Sequence, residues 1–306
     1  MAQALGLECC GCYGKTRRGE AFRDRGGYLK VIVAGLAKTG TTGLFYQIRN
    51  SLEGEARILF EQTEYERHSG DEEQLVLAKT LVGREGYADF SSFDPFHKKV
   101  CIVRDPRDRA ISSVLYRSFD EKFLESDESV ERLVSLLRRK EQSPDEVSLI
   151  DLVMLQGELA GNPPKKPAGA AYPLTMPLQW LMDFRRDHPE YFIVKYEDFV
   201  ENRLDGLAEY LGFPLSGDSE VEAHVQRVVR TKRAGDWTNW FTESDVALLR
   251  ADSRMAEYME MFGYEDDWGL PEERRVDPRH GSEYVLRLVE ERRGGLSSRL
   301  RKFLPG

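Results

Sequence analysis

No other stretch limits the possible folds as tightly as YLKVIVAGLAKTGTTGLFYQI (28–48). It opens as a short apolar run rich in β-branched residues, ends that run at Gly35, and then places Leu44, Phe45, Ile48 and Leu52 at helical spacing. Such a pattern across a glycine-rich joint predicts strand, loop and helix in direct succession. Further strand-like runs are ARILFEQ (56–62), QLVLAKTL (74–81), KKVCIVRD (98–105) and YFIVKYED (191–198), with helical patterns between most of them. Alternation of this kind predicts an α/β fold: a parallel sheet covered by helices on both faces.

The fourth run leads straight into a helix. Asp105 is a natural N-cap, Pro106 suits the first helical position, and Ala110, Ile111, Val114 and Leu115 form an apolar face. Residues 121–160 are mostly helical in pattern, and the Pro- and Gly-rich GNPPKKPAGAAYP (161–173) is expected to be a loop between helices, either a lid or a plain surface connection. Residues 1–27 lack periodicity and are expected to form a loose leader before a domain spanning 28–270. From 271 to 306 follows a tail with net charge +3, in which Leu296, Leu300, Phe303 and Leu304 line up beside Arg299, Arg301 and Lys302. A helix docked on its own domain is the expected form of that tail, and weak contact with a membrane surface is the alternative.

Charge narrows the partners. With 44 Lys and Arg against 53 Asp and Glu, the chain is −9, which argues against general affinity for nucleic acids or anionic membranes, so basic residues must act locally. No run approaches the roughly 18 apolar residues of a membrane span, and no apolar signal-peptide core opens the chain, so a cytoplasmic location is the default expectation. Cys9, Cys10 and Cys12 are crowded together without a second ligand pair at zinc spacing, and the five histidines are scattered, so no metal is expected.

The loop GLAKTGTT (35–42) sits where free backbone N–H groups and a helix dipole favour an anion. Gly35 and Gly40 have the spacing of a nucleotide triphosphatase loop, yet Thr41 stands where that loop needs its lysine, and the lysine is at Lys38 instead. A lysine inside the loop followed by TGTT resembles the 5′-phosphosulfate loop of sulfotransferases that use 3′-phosphoadenosine 5′-phosphosulfate (PAPS). The resemblance implies a P-loop-like α/β fold, with Lys38 near the bridging oxygen of the donor and the amides and hydroxyls of Ala37, Thr39, Gly40, Thr41 and Thr42 around its 5′-phosphate.

Three more segments carry the same resemblance. VRDPRDRAISS has an arginine at a strand end and a serine eight residues later, implying that Arg104 and Ser112 bind the 3′-phosphate. RTKRAGDWTNWFT (230–242) is similar to the family's segment that closes over the nucleotide; Arg230 matches its leading arginine, whereas Thr231 and Lys232 replace its Lys-Gly pair. Lys232 or Arg233 would then stand in for the missing lysine. Arg227, Arg230, Lys232 and Arg233 form a basic cluster in an otherwise acidic protein, which favours an anion site. VKYEDF (194–199) implies that Tyr196 lies near the adenine.

Transfer to a hydroxyl or amine needs a base beside the acceptor. The histidine that many members carry after a Lys-Thr pair is absent, because Leu81 follows Lys79 and Thr80. Other branches of the family use a glutamate at the end of the second strand, which implies Glu61. Its position at the carboxyl edge of a parallel sheet is where such sheets bind ligands. Glu64, His68, His97 and a substrate-assisted route are the alternatives, and Lys79 is a candidate for neutralising charge. The expected activity is therefore metal-independent sulfuryl transfer from PAPS, leaving PAP, to a hydroxyl or amine of a carbohydrate, lipid or small molecule. A small-molecule kinase and a non-catalytic sulfonucleotide-binding protein are the rivals.

Overall fold

The computed structural model describes residues 29–69, 74–120, 125–222, 226, 227 and 229–301. In chain order the elements are β1 (Lys30–Gly35), α1 (Thr41–Ser51), β2 (Ala56–Phe60), β3 (Leu75–Leu81), β4 (Lys98–Val103), α2 (Pro106–Asp120), α3 (Asp127–Gln142), α4 (Leu149–Leu159), α5 (Pro167–Asp187), β5 (Phe192–Lys195), α6 (Tyr196–Val200), α7 (Asp205–Leu211), α8 (Trp237–Trp240), α9 (Glu243–Arg250), α10 (Ser253–Phe262) and α11 (Ser282–Arg301). The five strands form one parallel sheet in the order β2-β3-β1-β4-β5.

Burial on β1 explains why the sheet is covered twice. Ile32 and Ala34 point into a core shared with α2, α4, α5 and α10, while Val31 and Val33 point the other way, into a core shared with α1 and α7. A strand buried on both faces has no polar side to spare, which is why VIVA is apolar throughout. Fully burying one such side chain contributes roughly 1.5 to 3 kcal/mol. Because α1 leaves β1 toward one face and α2 leaves β4 toward the other, a crevice opens between the ends of these neighbouring strands, the usual ligand position in open parallel sheets.

The expected loop at 161–173 is shorter than its composition suggests, since α5 begins at Pro167 and runs through Pro173 and Pro177. Pro167 occupies the helix start, where no N–H is required. The two internal prolines each remove a helical hydrogen bond, but Ala170, Ala171, Leu174, Leu178 and Leu181 are buried in the larger core and hold the helix together. The strand expected through Asp198 also stops early, at Lys195, and Tyr196 starts α6.

Tyr284, Val285, Leu288 and Val289 of α11 are buried, and the helix packs on α2 and α3. The leader with Cys9, Cys10 and Cys12 lies outside the described residues, as do the side chains of Leu296, Leu300, Phe303 and Leu304. No helix among the described residues is long and apolar enough to cross a membrane.

Candidate functional site

A cavity of about 380 Å³ occupies the crevice and is lined by Lys38, Gly40, Thr41 and Thr42 of the loop, by Arg104 and Ser112, by Tyr196, and by Arg230, Thr231 and Lys232. Its volume falls within the range of about 300 to 1,000 Å³ common for small-molecule sites. The loop enters it under tight packing. Gly40 has φ 95°, and a Cβ there would meet Tyr196 Cδ2 at 2.5 Å, so only glycine satisfies both demands. No side chain caps α1 and no acidic residue sits in its first turn, so the helix start is electrostatically suited to an anion.

The loop residues divide by role. Lys38 has φ 72° and holds its ammonium 3.5 Å from the centroid of the Tyr116 ring. Thr39 is fully buried and donates its hydroxyl to Leu36 O at 2.8 Å, so that side chain stabilises the turn from within. Thr41 and Thr42 line the cavity, whereas Ala37 is exposed and does not.

Arg104 follows β4 directly with its guanidinium nearly enclosed. Its Nη1 donates to Ser112 Oγ at 3.2 Å and to Lys38 O at 3.3 Å, and its guanidinium carbon lies 4.2 Å from the Tyr196 ring centroid. From the far end of the chain Arg230 Nε reaches the same Ser112 Oγ at 3.4 Å, while its Nη1 donates to Asp236 at 2.8 Å. The three residues singled out at 104, 112 and 230 therefore meet at one point. Arg104 Nε, Arg104 Nη2 and Arg230 Nη2 are buried and make no hydrogen bond within the protein. Two buried cations with unused donors, on residues that line a cavity, have the chemistry to donate to an oxyanion.

Asp108, which the sequence motifs did not single out, fastens this arrangement. Its carboxylate accepts the backbone N–H groups of Gly235 at 2.6 Å and Trp237 at 2.8 Å, and lies 4.0 Å from Arg104 Nη2. Burial pushes its carboxyl up to about 6, against the opposing pull of Arg104 and the two amides. The i,i+4 spacing of Arg104 and Asp108 at a helix start is the sequence signal that would have found it. Asp105 caps α2 as expected, its Oδ1 accepting Arg107 N–H at 2.8 Å. Tyr196 closes the assembly by donating its hydroxyl to Thr231 O at 2.9 Å.

The basic cluster at 227–233 separates. Arg227 turns to Glu291 of α11 at 3.2 Å and to the Phe119 ring, away from the cavity lining. Lys232 lines the cavity with an exposed side chain, and Arg233 is exposed without lining it.

The base candidates lie elsewhere on the same edge of the sheet. Glu61, with φ 58°, follows β2 directly and accepts a 2.6 Å ion pair from Lys79 Nζ. Lys79 is almost wholly buried while the Glu61 side chain is 52% exposed, so the anchored carboxylate still faces solvent. Burial pulls the Lys79 ammonium below its ordinary range, and Glu61 opposes that pull. Glu64 and His68 are exposed on the segment after β2. His97 is ruled out as a base beside the loop: it precedes β4 at the opposite edge and its Nδ1 accepts Lys30 N–H at 3.3 Å, roughly 16 Å of strand away.

No family model and no curated protein matches the chain. Among solved structures, the mouse sulfotransferase SULT7A1 complexed with PAP is similar with a TM-score of 0.43 and 16% identity, over 76% of this chain and 84% of that one.

Proposed function

We propose that the chain binds PAPS and transfers its sulfuryl group to a hydroxyl or amine acceptor. The observation that carries this reading is the buried guanidinium pair beside Ser112, with three donors unused in the protein. A second anion position at the uncapped start of α1 shares the same cavity. Two anion positions on the wall of one cavity suit a nucleotide carrying phosphates on different carbons of its ribose.

In this reading the amides around Ala37 to Thr42 hold the 5′-phosphate, with Lys38 at the bridging oxygen. Arg104, Ser112 and Arg230 hold the 3′-phosphate, Lys232 and Arg233 add charge at the rim, and Tyr196 flanks the nucleoside. The acceptor oxygen or nitrogen attacks sulfur as the bond from sulfur to the phosphate oxygen breaks. That bond's electron pair stays on the phosphate, where Lys38 neutralises it, and Glu61 takes the acceptor's proton. Lys79 fixes Glu61 through their ion pair. The products are a sulfated acceptor and PAP.

Thermal melting tests the nucleotide class directly. PAP without magnesium is expected to raise the melting temperature, since ligand at 100 times its Kd adds about 2.7 kcal/mol to the folded state. Greater stabilisation by ATP with magnesium than by PAP would instead assign the chain to the kinases.

A further inference from the structure

The cavity has an end that these roles leave unused. It runs along α1 past Gly43 and Gln47 to a wall made by Phe199 and residues 217–219. That wall is tied to α1: Gly217 N–H donates to Ser51 Oγ at 2.8 Å, and Asn50 Nδ2 donates to Asp218 O at 3.1 Å and to its Oδ1 at 3.0 Å. Gly43 keeps the space clear, because a Cβ there would come within 3.0 Å of the Phe199 ring. Gln47 follows one helical turn later on the same side of α1. Only 6% of Gln47 is exposed, and its Oε1 is buried with no hydrogen-bond partner.

A buried carboxamide with an unused oxygen, on the wall of a cavity that Phe199 also lines, is poised for a flat polar group. We infer that Gln47 reads the base of the bound nucleotide, pairing its carboxamide with an adenine amino group and the ring nitrogen next to it. The inference rests on the nucleotide reading above. A carboxamide offers an acceptor and a donor side by side, and the adenine edge offers N6–H and N7 in complementary order. A 6-oxo purine presents two acceptors along that edge, so Oε1 would face an oxygen. The terminal torsion of glutamine is broad, which lets the amide turn to meet its partner. An apolar residue at this position would fill the space without distinguishing the two bases, whereas a site built to hydrogen-bond one group rejects the analogue that lacks it.

The test is calorimetric titration of the full chain with PAP and with inosine 3′,5′-bisphosphate, which carries oxygen for the 6-amino group and a proton on N1, leaving N7 unchanged. The wild type is expected to prefer PAP by about tenfold or more. Gln47→Leu and the closer isostere Gln47→Met should weaken PAP binding and bring the two ligands within about threefold of each other. Equal binding of both ligands by the wild type overturns the inference without needing any variant. A folded variant that keeps the full preference also overturns it, because another group would then be reading the base. Failure of the wild type to bind either bisphosphate would remove the nucleotide reading itself, a result distinct from binding without discrimination.

Discussion

Replacing Arg104 by alanine separates the proposed 3′-phosphate contact from every other effect on the protein. Nη1 is occupied by Ser112 Oγ and Lys38 O, whereas Nε and Nη2 have no hydrogen-bond acceptor in the protein, Nη2 lying 4.0 Å from Asp108, and these two are the donors proposed for the phosphate. Each charge-assisted bond is worth about 1.5 to 3 kcal/mol. Two of them, discounted because Arg230 and Ser112 remain, give a loss of about 3 kcal/mol, or roughly 100-fold in Kd. The same substitution removes a cation from the Tyr196 face and from Asp108, so the variant is also expected to melt at a lower temperature. A comparison of ligands cancels that general weakening. Titration of wild type and variant with PAP and with adenosine 5′-phosphate, at one salt concentration, should show the large loss for PAP and a change of no more than about threefold for the monophosphate. Equal losses for the two nucleotides would refute the assignment of Arg104 to the 3′-phosphate, as would an unchanged affinity for PAP.

Glu61→Gln keeps shape but removes basicity, so turnover should fall on the order of 10² to 10⁴-fold with PAP binding nearly unchanged; near-normal turnover would move the role to Glu64. Asp108 predicts a pH dependence: its folded pKa of about 6 lies above the unfolded value, so the folded state holds the extra proton between about pH 4 and 6, and stability is lost as pH rises through that window. The amplitude is about 3 kcal/mol at most. Urea unfolding of the nucleotide-free protein should show this slope in the wild type and not in Asp108→Asn, and parallel profiles would contradict it.

The fold was legible because its strands are short, apolar and bounded by turns, so the five runs could be placed from local pattern alone. The helical start at Pro167 was hidden because proline argues against a helix locally, while the burial of Leu174, Leu178 and Leu181 that sustains it comes from distant parts of the chain. The convergence of Arg104, Ser112 and Arg230 matches the spacing of the motifs. Arg227 shows where such reasoning stops. It lies three residues from Arg230 and looks equivalent in sequence, yet it is claimed by Glu291, 64 residues away. Asp108 and Gln47 were overlooked for a related reason. Their importance comes from backbone amides, or an unmet amide oxygen, that no side-chain motif records.

The order β2-β3-β1-β4-β5 divides the sheet's carboxyl edge into two territories. The loop after β1, Arg104 after β4 and Tyr196 after β5 occupy one side, while Glu61 after β2 and Lys79 on β3 occupy the other. If the nucleotide occupies the first territory, the segments following β2 and β3 are free to diverge without disturbing the donor. Acceptor range and donor chemistry would then be inherited as independent modules, so that grafting 61–69 and the segment after Leu81 from one relative to another would transplant the choice of acceptor onto an unchanged nucleotide machine.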